Sequence, residues 1–177
     1  RNSGVVHAGI YYAPGSFKAK FCREGREETI RFCTQHEIPF EQCGKLVVAT
    51  SDLESERLQN LYERGLENGL SLELLSESEI RLLEPHVTGR SAILVRDTGI
   101  VDFRQVATQI GILFQAGGGK IETLAEVARL RERASHVEVL LRGGRRFRTR
   151  FLVSCAGLMA DRVARMMDIP TDFQIVP

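Results

Sequence analysis

The apolar residues of this chain change period at Lys120, and that switch constrains the fold more than any single motif. Before it, stripes at steps of three and four alternate with short β-rich runs. In residues 16–36, Phe17, Phe21, Gly25, Thr29, Phe32 and Cys33 share one helix face, with Ser16 placed as N-cap and Pro39 barring further helix. "KLVVAT" (45–50) reads as a strand. The helix after it carries Leu58, Leu61, Tyr62 and Gly65 on one side and ends at Gly69. "LELL" (72–75) and "SAILVRD" read as strands, and "SESE" (76–79) has the form of a capping box. "DFRQVATQIGILFQAGGG" is amphipathic, with Phe103, Val106, Ala107, Ile110, Leu113 and Phe114 on one side and glycines at its end.

After Lys120 the period is two. "KIET", "AEVARLRER", "HVEVLL" and "RRFRTRFLVSC" read as successive strands, with Gly143-Gly144 as a tight hairpin turn that needs positive φ at both positions. A helix then begins directly at "AGLMADRVARMM". This order predicts an α+β or α/β chain with an antiparallel insertion.

Several function classes lose support at this level. A net charge of +1 gives no field favouring nucleic acid or membrane. No apolar run approaches the roughly 20 residues of a spanning helix, and residues 1–12 lack a basic region and cleavage site. A reducing cytoplasmic setting fits. Motifs for ATP hydrolysis, zinc proteolysis and serine hydrolysis are missing. Cys22, Cys33, Cys43 and Cys155 form no C-x-x-C pair and read as small core filler, the alternative being a redox or disulfide role.

Three stretches could carry chemistry. At "VSCAGLMAD" (153–161) a β-run meets Gly157 and a helix start, whose free amides suit a phosphate or a polar cofactor chain. In the opening loop, Gly4 and Gly9 permit close backbone approach, Asn2 and Ser3 offer short polar groups, and His7 can exchange a proton near neutral pH. A plain surface turn is the other reading of that loop. Arg142, Arg145, Arg146, Arg148 and Arg150 cluster on a hairpin; a solvated face explains them better than a nucleic-acid stripe, because no aromatics interleave on the exposed side. Asp97 and Asp102 around "TGIV" read as a turn residue and a helix cap rather than an acid–base pair.

The stretches "NSGVVHAGIYYAPGSFKAKFC", "CGKLVVATSDLE", "EPHVTG", "TGIVDFRQV", "GGKI", "AEV" and "SCAGLMADR" together resemble the flavin-dependent oxidoreductases of the D-amino-acid oxidase type, and among them the L-2-hydroxyglutarate dehydrogenase/oxidase family. The resemblance implies FAD lying against a Rossmann-like sheet, a β-meander insert and an α+β substrate domain. Residues 1–39 and 97–177 would form part of the FAD domain and 40–96 part of the substrate domain. Arg1, Asn2, Ser3 and Gly4 would contact FAD, and His7, Ala8 and Gly9 would approach the isoalloxazine ring. Val127 would lie on the adenine side, and Ala156, Gly157 and Ala160 near the pyrophosphate and ribityl chain. His7 would act as base or hydrogen-bond partner, or only fix the loop. Lys45 and Arg96 would bind the carboxylates of a small 2-hydroxy acid substrate.

Arg1 stands where the resemblance expects a histidine. The family's G-x-G-x-x-G unit and its ribose-binding acid are not in the chain, so an internal piece of a longer enzyme is expected. Such a piece should be inactive, bind FAD poorly and self-associate through exposed strand edges. The resemblance leaves open a quinone contact and a peripheral contact of the parent with the inner membrane. A glycerol-3-phosphate dehydrogenase-like flavoenzyme and a non-catalytic binding or scaffold module remain as alternatives.

Overall fold

A computed structural model describes residues 2–176. The fold is mixed α and β, and its strands form three small antiparallel sheets. Residues 1–119 and 120–177 make two compact units, described here one at a time.

In the first unit, β3 (Lys45–Ala49), β5 (Ser91–Val95) and β4 (Leu72–Ser76) form one sheet with β5 at its centre. The central place explains the unbroken apolar run Ala92–Val95, every residue of which is buried. A strand covered on both faces reads as continuous rather than alternating. Helix α2 (Asp52–Glu67) lays Leu58, Leu61 and Tyr62 on this sheet. Gly65 lets the helix come close: a Cβ there would stand 2.5 Å from Leu72 Cδ1 of β4 and 3.2 Å from Ile10 Cγ1. The capping box at Ser76 and Glu79 opens α3 (Glu77–Leu83) as the sequence predicts, and Ile80 at its centre is fully buried.

A second sheet joins β1 (Val5–Val6), β6 (Gly99–Val101) and β2 (Phe40–Glu41), in that order. Its core holds Val6, Cys33, Ile38 and Val101. Helix α1 (Phe17–Gln35) starts where Ser16 Oγ accepts from the Ala19 amide at 3.2 Å. It ends through Glu37 at φ +55°, one residue before Ile38 and Pro39. Only the C-terminal half of its apolar stripe is covered: Cys33 is buried, whereas Phe17 and Phe21 stack on each other in solvent with centroids 5.8 Å apart. Helix α4 (Phe103–Ala116) forms as expected behind its Asp102 cap, yet Ile110, Leu113 and Phe114 stay largely exposed.

The second unit is the meander β7 (Val127–Glu132), β8 (Val137–Leu141), β9 (Arg146–Thr149), followed by a 3-10 turn (Gly157–Met159) and α5 (Ala160–Met166). Three expectations need correction here. "KIET" is not a strand. Residues 151–156 are coil rather than the strand that "FLVSC" suggests, with Phe151 and Val153 each 82% exposed. A buried strand of this composition forms when neighbours complete its ladder, and no described strand pairs with it. The hairpin uses a longer turn than the glycine pair suggests. The Gly144 amide donates to Leu141 O at 2.9 Å, and of the two glycines Gly144 alone has positive φ, +84°. That fits a three-residue loop closed by a glycine bulge.

Of the cysteines, only Cys33 is core filler; Cys22 is half-buried, Cys43 and Cys155 are exposed, and all four are free thiols. Among the described residues no helix is long and apolar enough to cross a membrane, and no cluster of His, Cys, Asp or Glu could hold a metal ion.

Candidate active site

The opening loop is built by alternating burial. Val6, Ala8 and Ile10 turn into the two cores of the first unit, while His7 and Tyr11 are exposed and Gly9 lies between them. Arg1 lies outside the described residues. Asn2 and Ser3 are exposed, and their side chains organise the loop itself: Asn2 Oδ1 accepts from the Gly4 amide at 2.8 Å and Ser3 Oγ from the Val5 amide at 3.3 Å. Gly4 sits at φ +78°, and its carbonyl accepts from the Val101 amide at 2.8 Å, which fastens the loop to β6. Gly9 sits at φ +87°, with the space for a Cβ closed by Cys22 Sγ at 3.0 Å.

Further ties fix the same loop. Cys22 Sγ donates to the His7 carbonyl at 3.3 Å, the Tyr12 amide closes a turn onto Gly9 O at 3.0 Å, and Asn68 Nδ2 donates to the Tyr12 carbonyl at 2.9 Å. The backbone of residues 7–12 is therefore held from α1 on one side and α2 on the other. Among the described residues the His7 ring has no hydrogen-bond partner. Two open, largely apolar grooves flank the loop. One of about 560 Å³ is lined by His7, Phe17, Phe21, Cys22, Arg26 and Phe103; the other, of about 740 Å³, by Asn2, Gly4, Val101, Phe103, Val106 and Ile110. Both volumes lie in the range of small-molecule and cofactor sites.

The two predicted substrate cations differ. Lys45 is half-buried at the start of β3, with its Nζ 4.9 Å from the centre of the Tyr11 ring and no described carboxylate beside it. Arg96 is already engaged, its Nε and Nη2 donating to the two oxygens of Glu73 at 2.5 and 2.8 Å. The Arg96 hydrogen bond holds the Glu73 carboxyl below its usual value. Both side chains of that pair are exposed.

Asp97 and Asp102 behave as the sequence suggests. Asp102 caps α4, its Oδ1 accepting from the Arg104 amide at 2.8 Å. Asp97 accepts from the Ser71 amide at 2.6 Å and pairs with Arg26 of α1 at 2.9 Å. Sequence reasoning missed Arg26 and Tyr11, since neither spacing nor composition sets them apart from other helix and loop residues.

In the second unit, Val127 is half-buried at the start of β7 and paired with Leu141. Ala156 and Ala160 are half-buried around Gly157, which has φ +53° and open space where a Cβ would go. In place of the expected strand-to-helix turn, coil runs into a 3-10 turn in which the Met159 amide donates to Ala156 O at 3.0 Å. Asp161, one residue into the helix, is 3% exposed; Oδ2 accepts from Arg165 at 3.0 Å, and no described group meets Oδ1. On the meander, register places Arg129 and Arg131 of β7 on the same face as Arg146 and Arg148 of β9. Arg142 and Arg145 pair instead with Glu126 and Glu122, and Arg150 lies beyond the strand.

In the first unit, a loop with two glycines of positive φ thus lies beside two open apolar grooves, with the His7 imidazole exposed. The chain belongs to the FAD dependent oxidoreductase family, whose pattern it matches over residues 1–177. It is 48% identical over 176 residues to L-2-hydroxyglutarate dehydrogenase of Salmonella houtenae and 46% identical to that of Escherichia coli. Each match covers 99% of this chain and 42% of the relative, so the chain spans under half the length of these proteins. In fold it is similar to the FAD-bound L-α-glycerophosphate oxidase of Mycoplasma pneumoniae, with a TM-score of 0.84, 24% identity, and coverage of 94% of this chain and 46% of that one.

Proposed function

We propose that the protein carrying this chain oxidises the C2 alcohol of L-2-hydroxyglutarate to 2-oxoglutarate. The observation that carries this reading is the 46–48% identity to L-2-hydroxyglutarate dehydrogenases across almost the whole chain. The site supports it. The loop at Asn2–Gly4 and Gly9, with two glycines of positive φ beside open apolar grooves, suits the edge of a flat ring system, and the open glycine turn at Gly157 suits a phosphate-bearing chain. When bound, FAD supplies the hydride acceptor. The residues of this chain do the rest. Asn2, Ser3, Gly4, Ala8 and Gly9 hold the loop against the cofactor, and Val127, Ala156, Gly157 and Ala160 serve its adenine and pyrophosphate portions. Residues 40–96 belong with the substrate side. His7, exposed and without a described partner, takes the hydroxyl proton as the C2–H bond breaks. Lys45 offers a free positive charge to the diacid, whereas Arg96 must first leave Glu73.

Anaerobic mixing of the FAD-loaded full-length protein with candidate substrates tests this. L-2-hydroxyglutarate should bleach the flavin absorbance, and glycerol 3-phosphate should not. Bleaching by glycerol 3-phosphate alone would move the protein to the other flavoenzyme class, and bleaching by neither would favour a binding module.

A further inference from the structure

We infer that Tyr11 and Lys45 form a subsite for the remote carboxylate of a dicarboxylate substrate, with Tyr11 as the positioning residue for the Lys45 ammonium. This rests on the reading above for the substrate and adds a source of selectivity.

The two residues come from separate elements, each rigidly rooted. Tyr11 follows Ile10, which is 1% exposed, and lies inside the turn closed by Tyr12 N and Gly9 O. The next carbonyl is tied to Asn68. Lys45 opens β3 in register with Val95 of the central strand, and the preceding Gly44 amide donates to Thr98 O at 2.9 Å. Between these anchors the flexible part is the lysine stem, and the Tyr11 ring takes up its end at 4.9 Å.

An aromatic face attracts a cation without neutralising it, so the ammonium stays available to an anion. A carboxylate partner would instead cancel it, as Glu73 does for Arg96. The Tyr11 ring is 57% exposed, so a ligand can reach the pair. It stands four residues from His7, in the turn that follows it. A monoacid lacking that second carboxylate, such as butyrate, has nothing to offer Lys45.

The test compares glutarate with butyrate, neither of which can react, as calorimetric ligands of the full-length FAD-loaded protein. Tyr11→Leu should weaken glutarate binding by about two- to fivefold, the range expected for an exposed cation–π contact. Butyrate binding should stay unchanged. Tyr11→Phe keeps the ring face and should restore glutarate affinity, and Lys45→Met should lose at least as much as Tyr11→Leu. In turnover, Tyr11→Leu should raise KM for L-2-hydroxyglutarate and leave kcat in place. Because Tyr11 lies outside the core, a second readout needs no variant: the Lys45 ε-methylene protons should resonate upfield from the ring and move with glutarate but not with butyrate. Equal losses for both acids, a Tyr11→Phe variant as weak as Tyr11→Leu, or unshifted ε-protons would each overturn the subsite. Failure of the unaltered protein to oxidise L-2-hydroxyglutarate would overturn the functional reading instead, and the calorimetry is read independently of turnover.

Discussion

Alanine at Gly9 is the sharpest perturbation of the opening loop. The residue holds φ +87°, where an L side chain is strained by about 1–3 kcal/mol. The new Cβ would stand 3.0 Å from Cys22 Sγ and 3.2 Å from both Cys22 Cβ and Tyr12 Cδ2. Cys22 is anchored in α1 and bonded to the His7 carbonyl, so it yields little room. Such overpacking adds about 1–3 kcal/mol. Lower entropy of the unfolded chain returns about 0.4–1 kcal/mol, which leaves a net loss of about 1–5.6 kcal/mol. At about 2–4 °C per kcal/mol for a chain of this size, Tm should fall by at least about 2 °C. The matched control is Gly25→Ala, in the interior of α1 with nothing within 4 Å of the added methyl. There alanine should gain about 0.5–1 kcal/mol in helix propensity. Far-UV circular dichroism through heat and urea reads both. A Gly9→Ala chain as stable as its parent, or a Gly25→Ala chain that loses as much, would refute the claim that this loop is locked against α1.

Asp97→Ala should cost about 3 kcal/mol in urea denaturation, because it strands the Arg26 side chain at 12% exposure and removes the acceptor of the Ser71 amide. Arg96→Ala, which opens an exposed pair, should cost no more than about 1 kcal/mol. Hydrogen bonds from the Ser76 hydroxyl and amide hold the Glu79 carboxyl below its usual value. Its cap therefore contributes fully above the unfolded value of about 4.3 and is lost as pH falls through the lower folded value. NMR titration of Glu79 should show a depressed midpoint, and Glu79→Gln should flatten the stability profile in that acid window. The 177-residue chain alone should purify without stoichiometric flavin absorbance, since it carries no G-x-G-x-x-G turn; a yellow protein with one FAD per chain would contradict this.

What the sequence revealed follows the range of the forces involved. Ser16, the Ser76–Glu79 box, Asp102 and the helix stripes are local, so they were legible at their own positions. The strands β1, β2 and β6 were not, because two or three residues carry no period, and only pairing across the fold makes them strands. The run at 151–155 failed for the converse reason: its composition suits a strand, but a strand needs a neighbour. In the site, His7, Gly4 and Gly9 stood out by residue type. Tyr11 and Arg26 acquire meaning only when Lys45 and Asp97 arrive from distant parts of the chain. The meander's shared arginine face likewise needed the register that joins β7 to β9.

The most direct test of the site is the single-turnover rate of flavin reduction by L-2-hydroxyglutarate in the His7→Gln full-length protein. With the flavin spectrum retained, the rate should fall by about 10²–10⁴-fold, as loss of a positioned base entails. An unchanged rate with the flavin in place would mean that the histidine only fixes the loop and that the proton leaves by another route.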